Sequence, residues 1–242
     1  MTEMLRVTGL TRRFGGVVAV NEVSFSVDEG EIVGLIGPNG SGKTTTFNLI
    51  SGNLTPNAGE IIYKGAAIHG LKSYEVARRG IGRTYQVVRP FPLLTVAENV
   101  MAGAFQKEGN YAAARRKSLG ILDDLGLLDK ADRLASDLTL LQLKRLEIAK
   151  VLSIDPDLLL LDEVAAGLTT SEIEVLLGFV RQLHERGMTM LVVEHVMQFI
   201  SSLCSRVLVL DFGKLIAVGS CADVLADPAV HEAYLGEEIT VA

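Results

Sequence analysis

A run of eight residues near the start of the chain has the types and spacing needed to bind a nucleoside triphosphate. It follows the pattern G-x-x-x-x-G-K-[ST] and consists of Gly37, Pro38, Asn39, Gly40, Ser41, Gly42, Lys43 and Thr44. Glycines let consecutive backbone N–H groups curve around a phosphate without Cβ clashes. The Lys43 ammonium can reach the β- and γ-phosphate oxygens, and the Thr44 hydroxyl can bind Mg²⁺. We therefore predict a phosphate-binding loop, and we include Thr45 among its nucleotide contacts.

Two carboxylates follow a run of four leucines at residues 158–161. The run predicts a buried strand, and in open α/β sheets ligands bind at the C-terminal ends of such strands. Asp162 can hold Mg²⁺ through water opposite Thr44, and Glu163 is placed to polarise a water for in-line attack on a γ-phosphate. By itself an Asp-Glu pair in this position is more often a helix cap or a solvated turn. The upstream phosphate loop favours the catalytic interpretation.

Two further side chains are candidates for the same site. His195 follows the predicted strand at residues 188–194, so it should emerge at the same edge of the sheet and contact the γ-phosphate or orient the water beside Glu163. Gln86 precedes a predicted helical region and could reach Mg²⁺ or the attacking water. We predict Glu163, His195 and Gln86 as catalytic residues, and Thr44, Gln86 and Asp162 as Mg²⁺ ligands.

Composition excludes several functional classes. The net charge of -6 and the pI of about 5.3 argue against a protein that binds nucleic-acid backbone. The apolar runs are far shorter than the roughly 18 residues of a membrane span. The first residues lack the pattern of a secretory signal, so we expect a chain that is soluble by itself and stays in the cytosol. Cys204 and Cys221 show neither zinc-ligand nor disulfide-framework spacing.

The remaining periodicities predict the elements that position these residues. Residues 5–36 and 59–65 contain short alternating runs typical of an antiparallel β layer. Residues 94–152 read as helices, with Thr95 and Glu98 forming a capping box, and predict an inserted helical lobe. The second half returns to alternating strands and helices, whose continuous apolar strands belong in a parallel sheet covered on both faces. A helix from about Ser171, with a Ser171/Glu174 capping box, should cover this sheet.

This order of motifs resembles the ATP-binding subunits of ABC transporters over essentially the whole chain. The resemblance rests on the phosphate loop, Gln86, a signature segment at residues 138–142, the Asp162-Glu163 pair, the segment Ala166-Gly167-Leu168 and His195. It implies one α/β domain at residues 1–242, with a P-loop NTPase core and the inserted lobe. It also implies that Phe14 stacks on adenine, that Thr139 and Gln142 in the signature contact nucleotide, and that residues 165–169 link two subunits. In that family two ATP molecules with Mg²⁺ are sandwiched in a head-to-tail dimer.

Three segments narrow the resemblance to the branch for branched-chain amino acid uptake: residues 80–86, 94–100 and 232–236. The motif RTYQ at residues 83–86, with RPF at residues 89–91, is similar to the longer of that branch's two paired ATPase subunits. Urea-uptake and lipopolysaccharide-export ATPases share much of this pattern and remain alternatives. The resemblance implies a second ATPase subunit, two membrane-spanning permease subunits, an indirect link to a solute-binding protein and no nucleic acid. It places the chain peripherally at the cytoplasmic face of the inner (plasma) membrane.

The chain departs from the family pattern in two places. The usual signature is LSGGQ or LSYGQ, whereas residues 138–142 read LTLLQ, so Leu141 replaces a glycine that permits close approach to the partner's γ-phosphate. We hypothesise that the ATP site completed by this signature is weakened, an asymmetry that suits a heterodimer. The alternative is that residues 144–147 preserve the signature helix and Leu141 merely shifts the loop. The second departure is Val164 in place of proline, which relaxes the turn presenting Glu163 and should have a modest effect.

Two rival functional classes use the same phosphate loop. A stand-alone ABC-type ATPase acting on DNA or ribosomes would carry long coiled-coil or zinc insertions or a second cassette, and the sequence contains none. A GTPase would show an Asn-Lys-x-Asp motif, which is absent, and a small-molecule kinase would need an acceptor pocket and a lid. The signature and histidine motifs favour the transporter subunit over both.

Overall fold

The computed structural model describes residues 2–234. Its strands are β1 (Glu3–Phe14), β2 (Val17–Asp28), β3 (Ile32–Ile36), β4 (Ala58–Tyr63), β5 (Ala66–Ala67), β6 (Ile81–Arg83), β7 (Leu158–Asp162), β8 (Thr189–Val193), β9 (Arg206–Asp211) and β10 (Lys214–Gly219). Its α-helices are α1 (Lys43–Ile50), α2 (Ser73–Arg78), α3 (Val96–Ala104), α4 (Tyr111–Asp124), α5 (Leu140–Leu152), α6 (Thr170–Glu185), α7 (Met197–Leu203), α8 (Cys221–Leu225) and α9 (Pro228–Tyr234). The segment at residues 232–236 that supports the resemblance is described only in part, because residues 235 and 236 lie outside the described residues.

The central sheet has the strand order β10-β9-β3-β8-β7-β6. β3 pairs in parallel with both β8 and β9, and β7 pairs in parallel with β6 and β8, while β10 runs antiparallel at the edge. Successive side chains of a strand face opposite sides of a sheet. Accordingly, Leu158 and Leu160 join the hydrophobic core on one face, and Leu159 and Leu161 join the core on the other. The predicted parallel sheet with two covered faces is confirmed.

The N-terminal strands form a separate antiparallel sheet of order β2-β1-β4-β5. In its registers Val7 of β1 lies opposite Phe25 of β2 and Ile61 of β4. The apolar side chains of this sheet pack with α1 and with one face of the central sheet in a single core. The predicted antiparallel layer, including the strand near residues 59–65, is therefore confirmed.

The predicted helical region contains α3, α4 and α5, which pack against one another. Thr95 caps α3 with Glu98 as its capping-box partner, as predicted. No helix within residues 2–234 is long and apolar enough to cross a lipid bilayer.

α6 begins within one residue of the predicted position, but its predicted capping box was wrong. The helix begins at Thr170, and its capping box pairs Thr169 with Glu172 instead of Ser171 with Glu174. The sequence offers the Ser/Thr-x-x-Glu pattern twice, two residues apart, so the pattern alone could not choose between them. The predicted apolar stripe is buried as expected and consists of Ile173, Leu176, Leu177, Val180 and Leu183.

Candidate active site

The loop between β3 and α1 requires glycine at two positions because of its neighbours in the protein. Gly37 and Gly42 have φ angles of 147° and 107°, in the region that favours glycine. A Cβ on Gly37 would collide with the carbonyl oxygen of Leu210, and one on Gly42 would lie 2.5 Å from the carbonyl oxygen of Ala19. The loop is therefore packed tightly between β9 and β2, which fixes its shape before any ligand arrives.

Two polar groups in this loop are suited to phosphate. The Lys43 side chain is buried, and its ammonium donates to the backbone carbonyls of Gly37 at 2.7 Å and Pro38 at 2.9 Å. The Ser41 hydroxyl is buried and makes no hydrogen bond within the described residues. A buried hydroxyl without a partner is unusual, and a phosphate oxygen would satisfy it.

A cavity of about 140 Å³ lies at this loop and brings the predicted residues together. Its lining consists of Ala19, Asn39, Gly40, Ser41, Gly42, Lys43, Thr44, Thr45, Glu163 and His195. Glu163 follows β7 directly, and His195 follows β8 after one intervening residue. The parallel sheet thus delivers both side chains to the phosphate loop, as the sequence predicted.

Glu163 is the point where the three predicted catalytic side chains meet. Its Oε2 accepts from Gln86 Nε2 at 2.5 Å, and its Oε1 lies 2.9 Å from His195 Nε2. The backbone of Glu163 has a φ of 48°, a conformation that costs a non-glycine residue about 1–3 kcal/mol. Val164, the next residue, is buried in the core, and its effect on this turn relative to proline stays a prediction.

The predicted Mg²⁺ ligands line one cleft. Thr44, Gln86 and Asp162 contribute to a cavity of about 380 Å³ next to the phosphate loop. All three offer oxygen donors, which Mg²⁺ prefers, so the residues present fit this ion. Burial raises the pKa of Asp162 despite the nearby Arg83 guanidinium, which lowers it.

The sequence analysis missed the role of Arg83. Its guanidinium forms a buried ion pair with Asp162 at 2.8 Å and also donates to Asn48 and Ser51. The Phe47 and Tyr85 rings lie within 5.6 and 5.1 Å of it. Arg83 therefore anchors the Asp162 carboxylate to α1. The motif at residues 83–86 indicated only a subfamily, because no spacing in the sequence connects an arginine in β6 with an aspartate in β7.

Two buried charges near Glu163 were also missed. Lys144 in α5 is 3% exposed, and Glu194 at the end of β8 is 2% exposed. Burial lowers the pKa of Lys144, although four surrounding carboxylates oppose the shift, and burial raises the pKa of Glu194 to about 7. The only signal in the sequence was a glutamate directly before a candidate histidine.

The other predicted contacts lie away from the phosphate-loop cavity. Phe14 is 44% exposed at the end of β1, with the Arg12 guanidinium 4.8 Å from its ring centroid. Thr139 and Gln142 form the capping box of α5, so each already has a partner within the signature. Leu141 packs partly against the core, whereas Leu140 is 44% exposed. The outward leucine of the signature is therefore Leu140.

A family model described as "ABC transporter" matches residues 20–166, and one described as "Branched-chain amino acid ATP-binding cassette transporter" matches residues 214–240. This chain belongs to the ABC transporter family. It is an ATP-binding cassette, the ATPase subunit of a transporter. The predicted resemblance to the ABC ATPases of the branched-chain amino acid branch is confirmed.

Similarities to individual ABC proteins support this assignment. The chain is 40% identical over 252 residues to the high-affinity branched-chain amino acid transport ATP-binding protein LivG of Salmonella typhimurium, covering 97% of this chain and 98% of LivG. The ADP conformation of MJ1267, an ATP-binding cassette of an ABC transporter, matches with a TM-score of 0.90 and 31% identity over 98% of this chain and 100% of that chain. The dimeric cassette MJ0796 bound to ADP and Pi matches with a TM-score of 0.80 and 26% identity over 90% and 99%. MJ1267 and MJ0796 thus bind ADP, and MJ0796 forms a dimer.

Proposed function

We propose that this chain is the ATP-hydrolysing subunit of an importer for branched-chain or related amino acids. Hydrolysis would drive transport through two membrane-spanning permease subunits, with the chain peripheral at the cytoplasmic face of the membrane. The observation that carries the catalytic assignment is the convergence of Gln86 and His195 on Glu163 beside the phosphate loop. The amino acid specificity rests on the likeness to LivG. Urea uptake and lipopolysaccharide export remain the alternatives.

In the proposed reaction Glu163 accepts a proton from the water that attacks the γ-phosphate. The hydrogen bond from Gln86 and the contact with His195 leave the Glu163 carboxylate one orientation, which a general base needs. His195 also lines the phosphate cavity and is placed to contact the γ-phosphate itself. Mg²⁺, when bound, would neutralise charge that develops on the phosphate oxygens. Thr44, Gln86 and Asp162 would hold it.

The second half of each ATP site would come from another ATPase subunit, identical or different. Phe14, exposed next to the Arg12 guanidinium, would stack on adenine at the edge of this chain's own site. Thr139 and Gln142 would contact the partner subunit's nucleotide from the start of α5. We also propose that residues 1–242 form one ATP-binding domain, with residues 94–152 as its inserted lobe.

The proposed surface for the permease subunits is a cleft of about 350 Å³ between β6 and the helices α3 and α5, lined among others by Arg83, Gly103, Lys150 and Ile154. The segment that carries Gln86 continues beside it. This segment is attached to the lobe, because Asn99 hydrogen-bonds both backbone groups of Phe91 and Lys150 donates to the carbonyl of Arg89. A permease segment in this cleft would therefore touch the element that positions Gln86. Any solute-binding protein would act through the permeases.

The proposed function is tested by MgATP hydrolysis of the purified chain against its own concentration, with Glu163→Gln as the inactive control. A rate per chain that rises with concentration and disappears in the control would support a self-assembled ATPase. ATP binding without hydrolysis would indicate an obligate second subunit, and the assay then moves to the assembled transporter in liposomes. Stimulation there by leucine, isoleucine or valine presented with a binding protein supports the amino acid assignment, and stimulation by urea instead would overturn it.

We expect Leu141→Gly to raise the turnover of the assembled transporter roughly twofold or more, because a glycine lets the backbone at this position approach the partner's γ-phosphate more closely in the transition state, although the Leu141 side chain itself packs partly against the core. Melting temperatures of both proteins should be compared, since glycine in place of leucine near a helix start lowers stability by about 1 kcal/mol. An unchanged turnover would remove the hypothesis of a weakened site and favour the interpretation in which Leu141 only shifts the loop.

A further inference from the structure

Lys144 and Glu194 are two buried charged residues beside the backbone of Glu163, and the proposed reaction gives neither of them a role. Lys144 comes from α5, the helix that begins in the signature segment, and Glu194 precedes His195. A buried charge is unfavourable unless it is hydrogen-bonded or paired. The partners of these two groups therefore indicate why they are there.

Among residues 2–234, Lys144 hydrogen-bonds to backbone carbonyls and to no carboxylate. Its Nζ donates to the carbonyl oxygen of Glu163 at 3.0 Å and to the carbonyl oxygen of Gln86 at 3.3 Å. The same two residues meet through their side chains in the active site. One ammonium thus fixes the peptide groups of the general base and of the glutamine that orients it.

Glu194 connects the other two backbone segments of the site. Its Oε1 accepts from the N–H of Ala165 at 2.6 Å, and its Oε2 accepts from the N–H of His195 at 3.2 Å. The backbone N–H groups of Ala165 and His195 are therefore bound by the same carboxylate. Burial raises the pKa of Glu194 to about 7, and the two backbone N–H bonds that it accepts oppose this shift by favouring the ionised form.

These bonds surround the strained residue of the site. Glu163 has a positive φ, and such a conformation persists only where neighbouring groups determine it. The N–H of Glu163 donates to the carbonyl of Val193 at 2.8 Å, its carbonyl accepts from Lys144, and the N–H of Ala165 donates to Glu194. Every one of these bonds fixes the direction in which the Glu163 side chain leaves the backbone.

We propose that Lys144 and Glu194 are positioning residues that hold residues 163–165 in this conformation and so aim the Glu163 carboxylate at the reacting phosphate. Lys144 also joins two different ATP sites, because α5 would serve the partner subunit's nucleotide while Glu163 serves this chain's own. This inference rests on the proposed function for the role of α5. The conformational stability of residues 163–165 can be measured without an assay of ATP hydrolysis.

The direct test is hydrogen exchange of the amides at residues 163–167 in Lys144→Met and Glu194→Gln, both close in shape to the native side chains. We expect exchange in this segment to become about tenfold faster or more in each variant, because Lys144→Met loses both bonds to backbone carbonyls and Glu194→Gln keeps one oxygen for two backbone N–H donors. Lys117→Met and Glu185→Gln, which remove the same charges from α4 and from the end of α6, should leave this segment unchanged. Unchanged exchange in both test variants would overturn the inference, whether or not the chain hydrolyses ATP.

The kinetic test separates positioning from simple charge pairing. We expect each variant to reduce kcat by about 10- to 100-fold with KM for MgATP changed less than about threefold, since a misplacement near 1 Å can reduce rate about 100-fold. The double variant Lys144→Met with Glu194→Gln removes both buried charges, so neither remains without the other. Its melting temperature should therefore recover relative to the single variants. Its kcat should stay low, because the turn is still not held.

A kcat that recovers together with the melting temperature would show that the two residues act only as an ion pair, and would overturn the positioning role. ATP turnover of the wild-type protein, measured in parallel, separates a failure of the proposed function from a failure of the positioning role. If the wild-type protein fails to hydrolyse ATP in any assembly, the proposed function fails, and the exchange measurement still decides whether Lys144 and Glu194 hold the turn.

Discussion

Glu163→Gln should lower kcat for MgATP by about 10²–10⁴-fold, the usual contribution of a positioned general base. The amide keeps the size of the carboxylate but cannot accept a proton from water. Nucleotide affinity should change by less than about threefold, because phosphate binding depends on the loop and Lys43. Steady-state kinetics combined with binding of a fluorescent ATP analogue would measure both effects.

The matched control is Glu185→Gln, which makes the same chemical change on the exposed end of α6 and should retain full activity. Retention of more than about a tenth of the wild-type rate by Glu163→Gln would contradict the assignment. The proton would then go elsewhere, and His195, 2.9 Å from Glu163, would be the next candidate.

Lys43→Met should weaken MgATP binding by about 10- to 100-fold, because a hydrogen bond to a charged group contributes about 1.5–3 kcal/mol. In this structure the Lys43 ammonium is held by the carbonyls of Gly37 and Pro38, at the point where the β- and γ-phosphates are expected. The substitution removes the charge while filling a similar volume. Isothermal titration with a nonhydrolysable ATP analogue would measure the loss.

Lys43→Arg should fail to restore binding, since the planar guanidinium does not fit the space occupied by a buried ammonium. Lys107→Met, on the exposed surface after α3, is the control and should bind normally. Wild-type affinity in Lys43→Met would show that the backbone N–H groups of the loop carry the phosphate contact alone.

Most of the site could be predicted because its strongest signals are local in sequence. The pattern at residues 37–44 contains a strand end, a loop and a helix start in continuous order, and the leucine run before Asp162 marks a buried parallel strand. Parallel strands end at one edge, so Glu163 and His195 could be placed together without knowing any distance. The two sheets and the helical region could be predicted from hydrophobic periodicity and capping patterns, which are also local signals.

The residues that escaped prediction act through contacts between distant segments. Arg83 meets Asp162 only because β6 lies next to β7, and Lys144 of α5 reaches the Glu163 carbonyl from a distant part of the sequence. Periodicity describes which face a residue occupies, but not which buried group lies opposite. The prediction of the α6 capping box failed for a different reason. Two overlapping Ser/Thr-x-x-Glu patterns were equally good locally, and the helix uses the one that begins at Thr169.

The position of β3 in the central sheet makes the phosphate loop depend on strands that are synthesised late. β3 pairs only with β8 and β9 within residues 2–234, and Gly37 packs against the carbonyl of Leu210. At roughly 5–20 residues per second, a ribosome needs on the order of ten to thirty seconds to add the chain between these partners. Until then the phosphate loop has its neighbour in β2 but not its neighbour in β9. An interrupted chain ending before β9 therefore has the complete loop sequence without one of the strands that pack against it, and we expect such a chain to bind ATP poorly.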